Sequence, residues 1–342
     1  MGTKYLIKLR CRAGTQFHLG ESTPFEDSVL HKSSEIIHSD TLFSALVCIA
    51  AKIGVTNPEK VLGEGRISSC FYMMEKDNTN IFFLPRPTTP LFGEMPFKLI
   101  KKIKYVSLGV FNSEIPVYSW FNVKHFNKVH EDLIVGNNWI ATKKEFEAMN
   151  IKSDDAKKLQ LYQLQTLPQV RVHTNENKNN LYQVERLQIY DNSQVDGALT
   201  IGFYFLFEGE LSNNLKMVIH LLQDEGLGGQ RSIGFGLFSE IKIVSNIKIF
   251  DLNGNKHMNI SLFSPNDNDF NELRNCYYQT ILRGGRNLAT KYYLKQLLMI
   301  KEGAIISGTM QGHVADISVQ KDNPNLRYGK SFPLTIPNIM QI

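Results

Sequence analysis

The stretch GLGGQRSIGFG, residues 226–236, places five glycines and one arginine within eleven positions. Ordering glycine costs more backbone entropy than ordering any other residue, so such a run points to a main chain that must bend sharply or be closely approached. Its flanks set its place in a fold. Upstream, Ser212 is placed to cap a helix whose buried face carries Leu215, Val218 and Leu222, and Gly226 falls where a helix C′ glycine belongs. Downstream, LFSEIKIV (237–244) reads as a strand. The glycines therefore join a helix to a following strand. A dinucleotide fingerprint needs the opposite order, and here Arg231 stands in its third glycine position. A phosphate-binding Walker loop is excluded because Gly234 is followed by Phe235 rather than by Lys-Ser or Lys-Thr. Two readings remain open. The glycines permit a tight turn with close helix–sheet packing, or successive N–H groups form a nest for a phosphate, with Gln230, Arg231 and Ser232 adding side-chain donors.

Working outward, TIGFYFLFEGE (200–210) is an aromatic-rich apolar strand, and the N-terminal Tyr5, Ile7, Leu9 and Cys11 alternate with Leu6, Lys8, Arg10 and Arg12. The cationic face of that first strand, if open, suits RNA. In HSDTLFSALVCIAAKIG (38–54), Ser39 or Asp40 can cap a helix with Leu42, Leu46, Ile49 and Ile53 on one face. SSCFYMM and IFFLP read as a hairpin. From Arg86 to Asp196 regularity fails: PRPTTPLFGEMP is proline-rich, KLIKKIK (98–104) is a basic cluster, TKKEFEAM and DDAKKLQLYQLQ look helical, and HTNENKNN reads as a polar tip. This stretch is expected to project as an insertion. After residue 246 a second unit is expected: strand HMNISLF, a helix over 264–281 with Ser264 as cap and Pro265 at its first position, and strands YYLKQLLMI, HVADISV and FPLTI.

Bulk properties narrow the class. The 342 residues are 42% apolar and 21% charged, as in a globular protein with a substantial core. No apolar run approaches membrane-spanning length. The N-terminus lacks the apolar segment of a signal peptide, and the four cysteines, Cys11, Cys48, Cys70 and Cys276, show no metal or disulfide spacing. Reduced thiols in the cytoplasm are expected, with no metal and no cofactor. The net charge of +5 is modest, but Arg274, Arg283, Arg286, Lys291, Lys295 and Lys301 run through 274–301 without an acid, a pattern that favours a polyanion.

The glycine loop resembles the C-terminal glycine-rich loop of the RAMP superfamily of CRISPR-associated proteins. Within it, HSDTLFSAL closely resembles subunit 4 of the type III-A Csm complex. GTQFHLGE, FFLPRP, PQVRVHTNENKNNLYQVERL, MNISLFSP, LRGG, MIKEGAII and RYGKSFPLTI extend the similarity over nearly the whole chain. The resemblance implies an α+β protein of two ferredoxin-like (RRM-like) folds, residues 1–246 and 247–342, the first carrying a thumb-like insertion at about 86–196. It also implies a non-catalytic RNA-binding subunit in antiviral defence. That subunit holds the 5′ handle of the CRISPR RNA, docks the large polymerase-cyclase subunit and the backbone RAMP subunit, and meets target RNA near the 5′ end of the guide. By this resemblance Gly228, Gly229, Gln230, Arg231 and Ser232 hold handle phosphates or sugars. His18 and His38 flank the same end of the sheet and are RNA-contact candidates, Arg171 and Arg186 bracket the polar tip as guide contacts, and Arg283 and Arg286 beside Gly284 and Gly285 are further candidates.

An enzyme is the competing class. His38, Ser39 and Asp40 are consecutive at a helix start, a spacing that cannot hydrogen-bond in series as a catalytic triad must. Metal-independent RAMP endoribonucleases that process CRISPR RNA precursors use a histidine as general acid or base, a role that would fall to His18 or His38. A solitary RRM-type chaperone is the third class, but Phe203, Tyr204, Phe205 and Phe207 alternate onto both faces of their strand, as in a buried strand rather than a base-stacking surface.

Overall fold

The computed structural model describes residues 2–21, 32–89, 101–113, 115, 119–120, 129–171, 180–245, 247–252, 254–285, 293–319 and 325–337, with the side chains of 171 and 180 excepted. Along the chain lie β1 (Lys4–Arg10), β2 (Gln16–Phe17), helix α1 (Ser39–Lys52), β3 (Arg66–Ile67), β4 (Phe71–Lys76) and β5 (Thr79–Pro85). Then come β6 (Tyr105–Ser107), β7 (Leu133–Val135), β8 (Trp139–Thr142), β9 (Tyr162–Arg171), β10 (Asn180–Ile189), β11 (Thr200–Glu208), helix α2 (Asn213–Glu225) and β12 (Glu240–Ser245). The protein is thus α+β, built around one large sheet of order β12-β1-β11-β4-β5-β6-β8-β7, with β3 pairing β11 off that path.

Its first four strands are antiparallel, and with the two helices they run in chain order strand (β1), helix, strand (β4), strand (β11), helix, strand (β12). Phe203, Phe205 and Phe207 on one face of β11 and Tyr204 and Leu206 on the other are all fully buried, so the aromatic alternation reports a central strand covered on both sides. Helices α1 and α2 bring Leu42, Leu46, Leu215 and Leu222 into the same core. Burying one such leucine stabilises the fold by about 1.5–3 kcal/mol.

The stretch expected to project divides in two. Strands β6, β8 and β7 extend the main sheet beyond β5, with Tyr105 against Trp139 in a parallel pairing, so this part belongs to the body. Among the described residues of the stretch, β9 and β10 stand apart from the main sheet, as a long hairpin rooted on β2 through Leu187↔Phe17. The helical reading of DDAKKLQLYQLQ holds for Ser153–Ala156 alone, because Tyr162 pairs with Ile189 and opens β9. Of HTNENKNN, residues 173–179 lie outside the described residues.

Strands β13 (Lys256–Asn259), β14 (Thr280–Arg283), β15 (Leu297–Ile300), β16 (Ala304–Ile306), β17 (Ala315–Asp316), β18 (Leu326–Arg327) and β19 (Pro333–Ile336) follow. A three-stranded sheet of order β16-β13-β19 forms here, and its Met258, Leu334 and Ile336 join the core of the N-terminal strands. The helix expected over 264–281 is absent. Two 3-10 turns, 269–271 and 273–275, and strand β14 occupy that stretch. The cause is tertiary: the buried Asp269 carboxylate accepts N–H bonds from Asn266, Gln311 and Gly312 at 2.9–3.1 Å, and Tyr277 exchanges backbone bonds with Ile305. These pairings override a helical apolar period. Among the described residues no helix is long and apolar enough to cross a membrane.

Candidate nucleic-acid interface

The glycine loop begins at Gly226, which ends α2 at φ 69°. It is stitched to β2 and to the residue that follows it. Gly229 N–H donates to His18 O at 2.8 Å, Gly236 N–H to Gln16 O at 2.8 Å, and Leu227 N–H to Gly236 O at 3.0 Å. What comes close to this main chain is therefore, first, the protein itself. A Cβ on Gly228, which sits at φ +93°, would lie 2.7 Å from His18 O, and one on Gly236, at φ +76°, would lie 2.0 Å from Leu227 O. Both positions demand glycine for packing and for backbone conformation.

The tip between them is different. Gln230 is left-handed at φ 58°, a 3-10 turn follows over Arg231–Ile233, and Gly234 at φ +90° has open space where a Cβ would go. Arg231, Ser232, Ile233 and Gly234 are exposed. The turn closes through Ile233 N–H to Gln230 O and Gly234 N–H to Arg231 O, while the N–H groups of Gln230, Arg231 and Ser232 have no acceptor among the described residues. Three successive N–H donors without an acceptor, beside a guanidinium and a hydroxyl, make a donor set suited to an anion. Arg231 is tethered only by its Nη1, which donates at 3.3 Å to Glu225 O and lies 3.6 Å from the Glu225 carboxylate.

The fold adds a partner that sequence spacing did not connect to this loop. Arg186, on β10, lays its guanidinium over the Phe235 ring at 4.7 Å from the centroid, and its Nη1 donates at 3.3 Å to Gln16 Oε1. Its Nε has no hydrogen-bond partner, nor does the buried Gln230 Oε1. Arg186 thus meets β2 at Gln16, and Gln230 follows Gly229, whose N–H bonds to the residue after β2; both unpartnered atoms are buried. Phe235, Gln16 and Glu225 were missed as site residues; only Phe235 carried a signal, an aromatic set between two glycines. Beside the tip runs a groove of about 570 Å3 lined by Arg12, Gln16, Ile233, Phe235 and neighbours.

Other expected contacts are placed elsewhere. His18 is 5% exposed, with Nδ1 3.0 Å from Glu185 O, and it stands behind the loop as its backbone partner; its expected side-chain contact with RNA is corrected to support. His38 is buried at 3%, its ring held between Ser34 Oγ at 3.0 Å and Glu302 Oε1 at 2.7 Å, so it too is corrected to an internal role. It is also the N-cap residue of α1, without a side-chain cap. Asp40, expected to serve that helix start, accepts a bidentate pair from Arg283 at 2.9 and 3.0 Å and a further bond from Arg327. Burial pushes the Asp40 carboxyl up, but the two guanidiniums outweigh it and hold it well below the usual carboxylate range. Arg283, 5% exposed and committed to Asp40, is withdrawn from the surface candidates. Arg171 pairs with Asn180 at the far end of the hairpin, six residues from Arg186 along β10 (186 to 180), which is about 20 Å of strand. Arg286 lies outside the described residues.

The cationic face of β1 is largely closed. Arg10 makes a bidentate contact with Glu75 and reaches Glu240, and Lys8 Nζ donates to Asn80 Oδ1 at 2.9 Å, leaving Arg12 exposed. Burial raises the Glu75 carboxyl, but the Arg10 bonds bring it below its ordinary value. Among the described residues no group of three or more His, Cys, Asp or Glu is placed to hold a metal ion.

Residues 252–336 match the family described as the CRISPR Csm4 C-terminal domain. A curated relative from Methanocaldococcus jannaschii, described as CRISPR system Cms protein Csm4, is 27% identical over 358 aligned positions, covering 93% of this chain and 90% of that protein. Among solved structures, a chain from the Csm3-Csm4 subcomplex of a type III-A CRISPR-Cas interference complex is similar at TM-score 0.67 and 24% identity, over 97% of this chain and 99% of that one. A chain of a Csm1-Csm4 cassette in complex with cA4 is similar at TM-score 0.54 and 17% identity, over 97% and 98%. These structural likenesses show the fold.

Proposed function

We propose that the chain is a Csm4-type subunit of a type III-A CRISPR complex, as the matching C-terminal domain and the similar relative support, and that it is non-catalytic and holds the 5′ handle of the CRISPR RNA on its glycine loop. The observation that carries this reading is the tip at Gln230–Ser232. Three N–H groups without an acceptor and the exposed Arg231 and Ser232 side chains share one turn of the loop, and the same loop carries Phe235, a buried ring against which the half-buried Arg186 guanidinium is stacked. N–H donors and Arg231 suit phosphate, and the stacked guanidinium of Arg186 offers a flat face to a base or a fork to a phosphate.

On this reading residues 1–246 form a ferredoxin-like fold, its strands β12-β1-β11-β4 matching the order that topology requires. The hairpin β9–β10 is the thumb of the insertion at about 86–196, and its outward Val170 and Leu181, 54% and 71% exposed, meet the guide–target duplex. Assigning residues 247–342 to a second such fold rests on the family resemblance. Docking of the Csm1-type large subunit and the Csm3-type backbone subunit follows from the complexes in which the similar chains were solved.

The nuclease alternative is disfavoured by position. A general acid or base must reach the scissile phosphate, and both His18 and His38 are buried with their rings engaged inside the protein. Incubating the purified protein with repeat RNA in EDTA tests this. Protection of the 5′ end without cutting is expected, and site-specific cleavage would overturn the non-catalytic reading.

A further inference from the structure

A second cleft, of about 580 Å3, lies on the other side of the hairpin from the glycine loop. Successive strand residues point to opposite faces. Arg186 faces Phe235, whereas its neighbour Glu185 lines this cleft and accepts Ser33 N–H at 2.8 Å. The walls come from three parts of the chain: residues 32–38 ahead of α1, residues 85–89 with 101–105 around β6, and Gln279, Lys301 and Glu302 from the C-terminal unit. The space exists because the C-terminal unit packs against the N-terminal sheet, and its volume is that of an ordinary small-molecule site.

The charge around it is uneven. Of the carboxylates that line it, Glu35 is held by Lys104 and Glu302 by His38, Glu185 accepts a backbone N–H, and Glu21 and Glu185 have no ion pair among the described residues. Lys32, Lys101 and Lys301 are exposed and have no ion pair among the described residues. Lys101 and Lys104 belong to the basic cluster KLIKKIK, which the glycine-loop reading leaves without a role. Deeper in, polar groups are left unmatched. Glu302 Oε1 accepts from both His38 Nδ1–H and the Ser69 hydroxyl, while Oε2 has no partner, and the Thr89 hydroxyl has none either. A buried acceptor left unmet is destabilising, so these groups favour a ligand that supplies donors. Burial raises the Glu302 carboxyl, yet His38 and Ser69 bring it below its ordinary value, so it is an anion that accepts and does not donate. Inorganic phosphate alone would satisfy the lysines and leave both deep groups unmatched. A ligand that is anionic at one end and carries N–H donors at the other satisfies all of them.

We propose that this cleft seats a single nucleotide, its phosphate on Lys32, Lys101 and Lys301 and its amino-bearing base toward Glu302 and Thr89. The proposal stands apart from the glycine-loop reading, since no residue is shared. The nucleotide comes either from a bound RNA strand or from free nucleotide in solution.

The full-length chain is titrated calorimetrically with adenosine 5′-monophosphate, with inorganic phosphate and with a short single-stranded RNA. The proteins compared are wild type, a Lys101→Glu/Lys301→Glu variant and Arg231→Ala; both lysines are exposed, so the variant is expected to fold. A mononucleotide that binds wild type, loses at least tenfold in affinity with the double variant and is unaffected by Arg231→Ala supports the site with a free-nucleotide source. RNA binding without mononucleotide binding supports it with a strand source, provided that the double variant loses both affinity and ultraviolet crosslinks to peptides bordering the cleft. Unchanged affinity of the double variant for every probe would sink the proposal, as would inorganic phosphate binding as tightly as the mononucleotide.

Discussion

Arginine stands beside carboxylate at several places in this protein, and two of them use it in opposite ways. At the start of α1, Arg283 and Arg327 converge on one carboxylate, Asp40, in a network that reaches 2% exposure at its centre. On the glycine loop, Arg231 is 40% exposed at its side chain and touches Glu225 only loosely, while nearby on β10 Arg186 rests on the Phe235 ring with no carboxylate paired to it among the described residues. The first arrangement joins the C-terminal unit to the N-terminal helix. The second leaves charge available. An arginine's role here is set by whether the fold has delivered a carboxylate to it.

The sharpest way to break the contrast is to remove one partner from the buried network. Arg283→Ala leaves Asp40 buried with Arg327 alone, and a buried pair broken on one side costs about 3–5 kcal/mol. Chemical denaturation should show a loss of that order, with Arg231→Ala near wild type. The pH dependence sharpens the test. The folded-state carboxyl of Asp40 is depressed, so its contribution is complete above the unfolded-chain value near 4 and declines as the pH falls below it. Stability curves of wild type and Asp40→Asn should therefore converge in acid. A gap that widened there would contradict the pairing.

Next in size is the glycine frame. Gly236→Val forces a β-branched side chain to φ +76° and into Leu227 O, so the backbone term alone is about 1–3 kcal/mol. Gly234→Ala, where the space is open, should cost only the φ term. If the two variants proved equally stable by thermal melting, the distinction between framing and presenting glycines would fail.

Much of this arrangement was legible in sequence. The helix–glycine–strand order placed the loop, and the alternation of 203–207 marked a buried central strand. What failed did so for one physical reason, long-range pairing. Arg283 stands beside two glycines in a cation-rich stretch and reads as a surface residue, yet its carboxylate is 243 positions away. The 264–281 segment has a helical period, but Asp269 binds it to 311–312 instead. Arg186 read as a flank of the hairpin tip, and only the register Leu187↔Phe17 carries it to the glycine loop. Local pattern predicts elements; it does not report which charges meet.

The smallest expected effect discriminates best within the exposed region. Each phosphate contact on single-stranded RNA contributes about 0.7 to the slope of log affinity against log salt. Arg231→Ala should lower that slope by about one contact with little effect on stability. Arg186→Ala removes a stacked group as well as a charge, so it should weaken binding further, by about tenfold, and more evenly across salt concentrations. Arg186→Lys restores the charge without the planar face, and its affinity should stay close to that of Arg186→Ala if stacking dominates. Recovery to wild-type affinity in the lysine variant would mean that Arg186 acts only as a charge, and the Phe235 platform would lose its place in recognition.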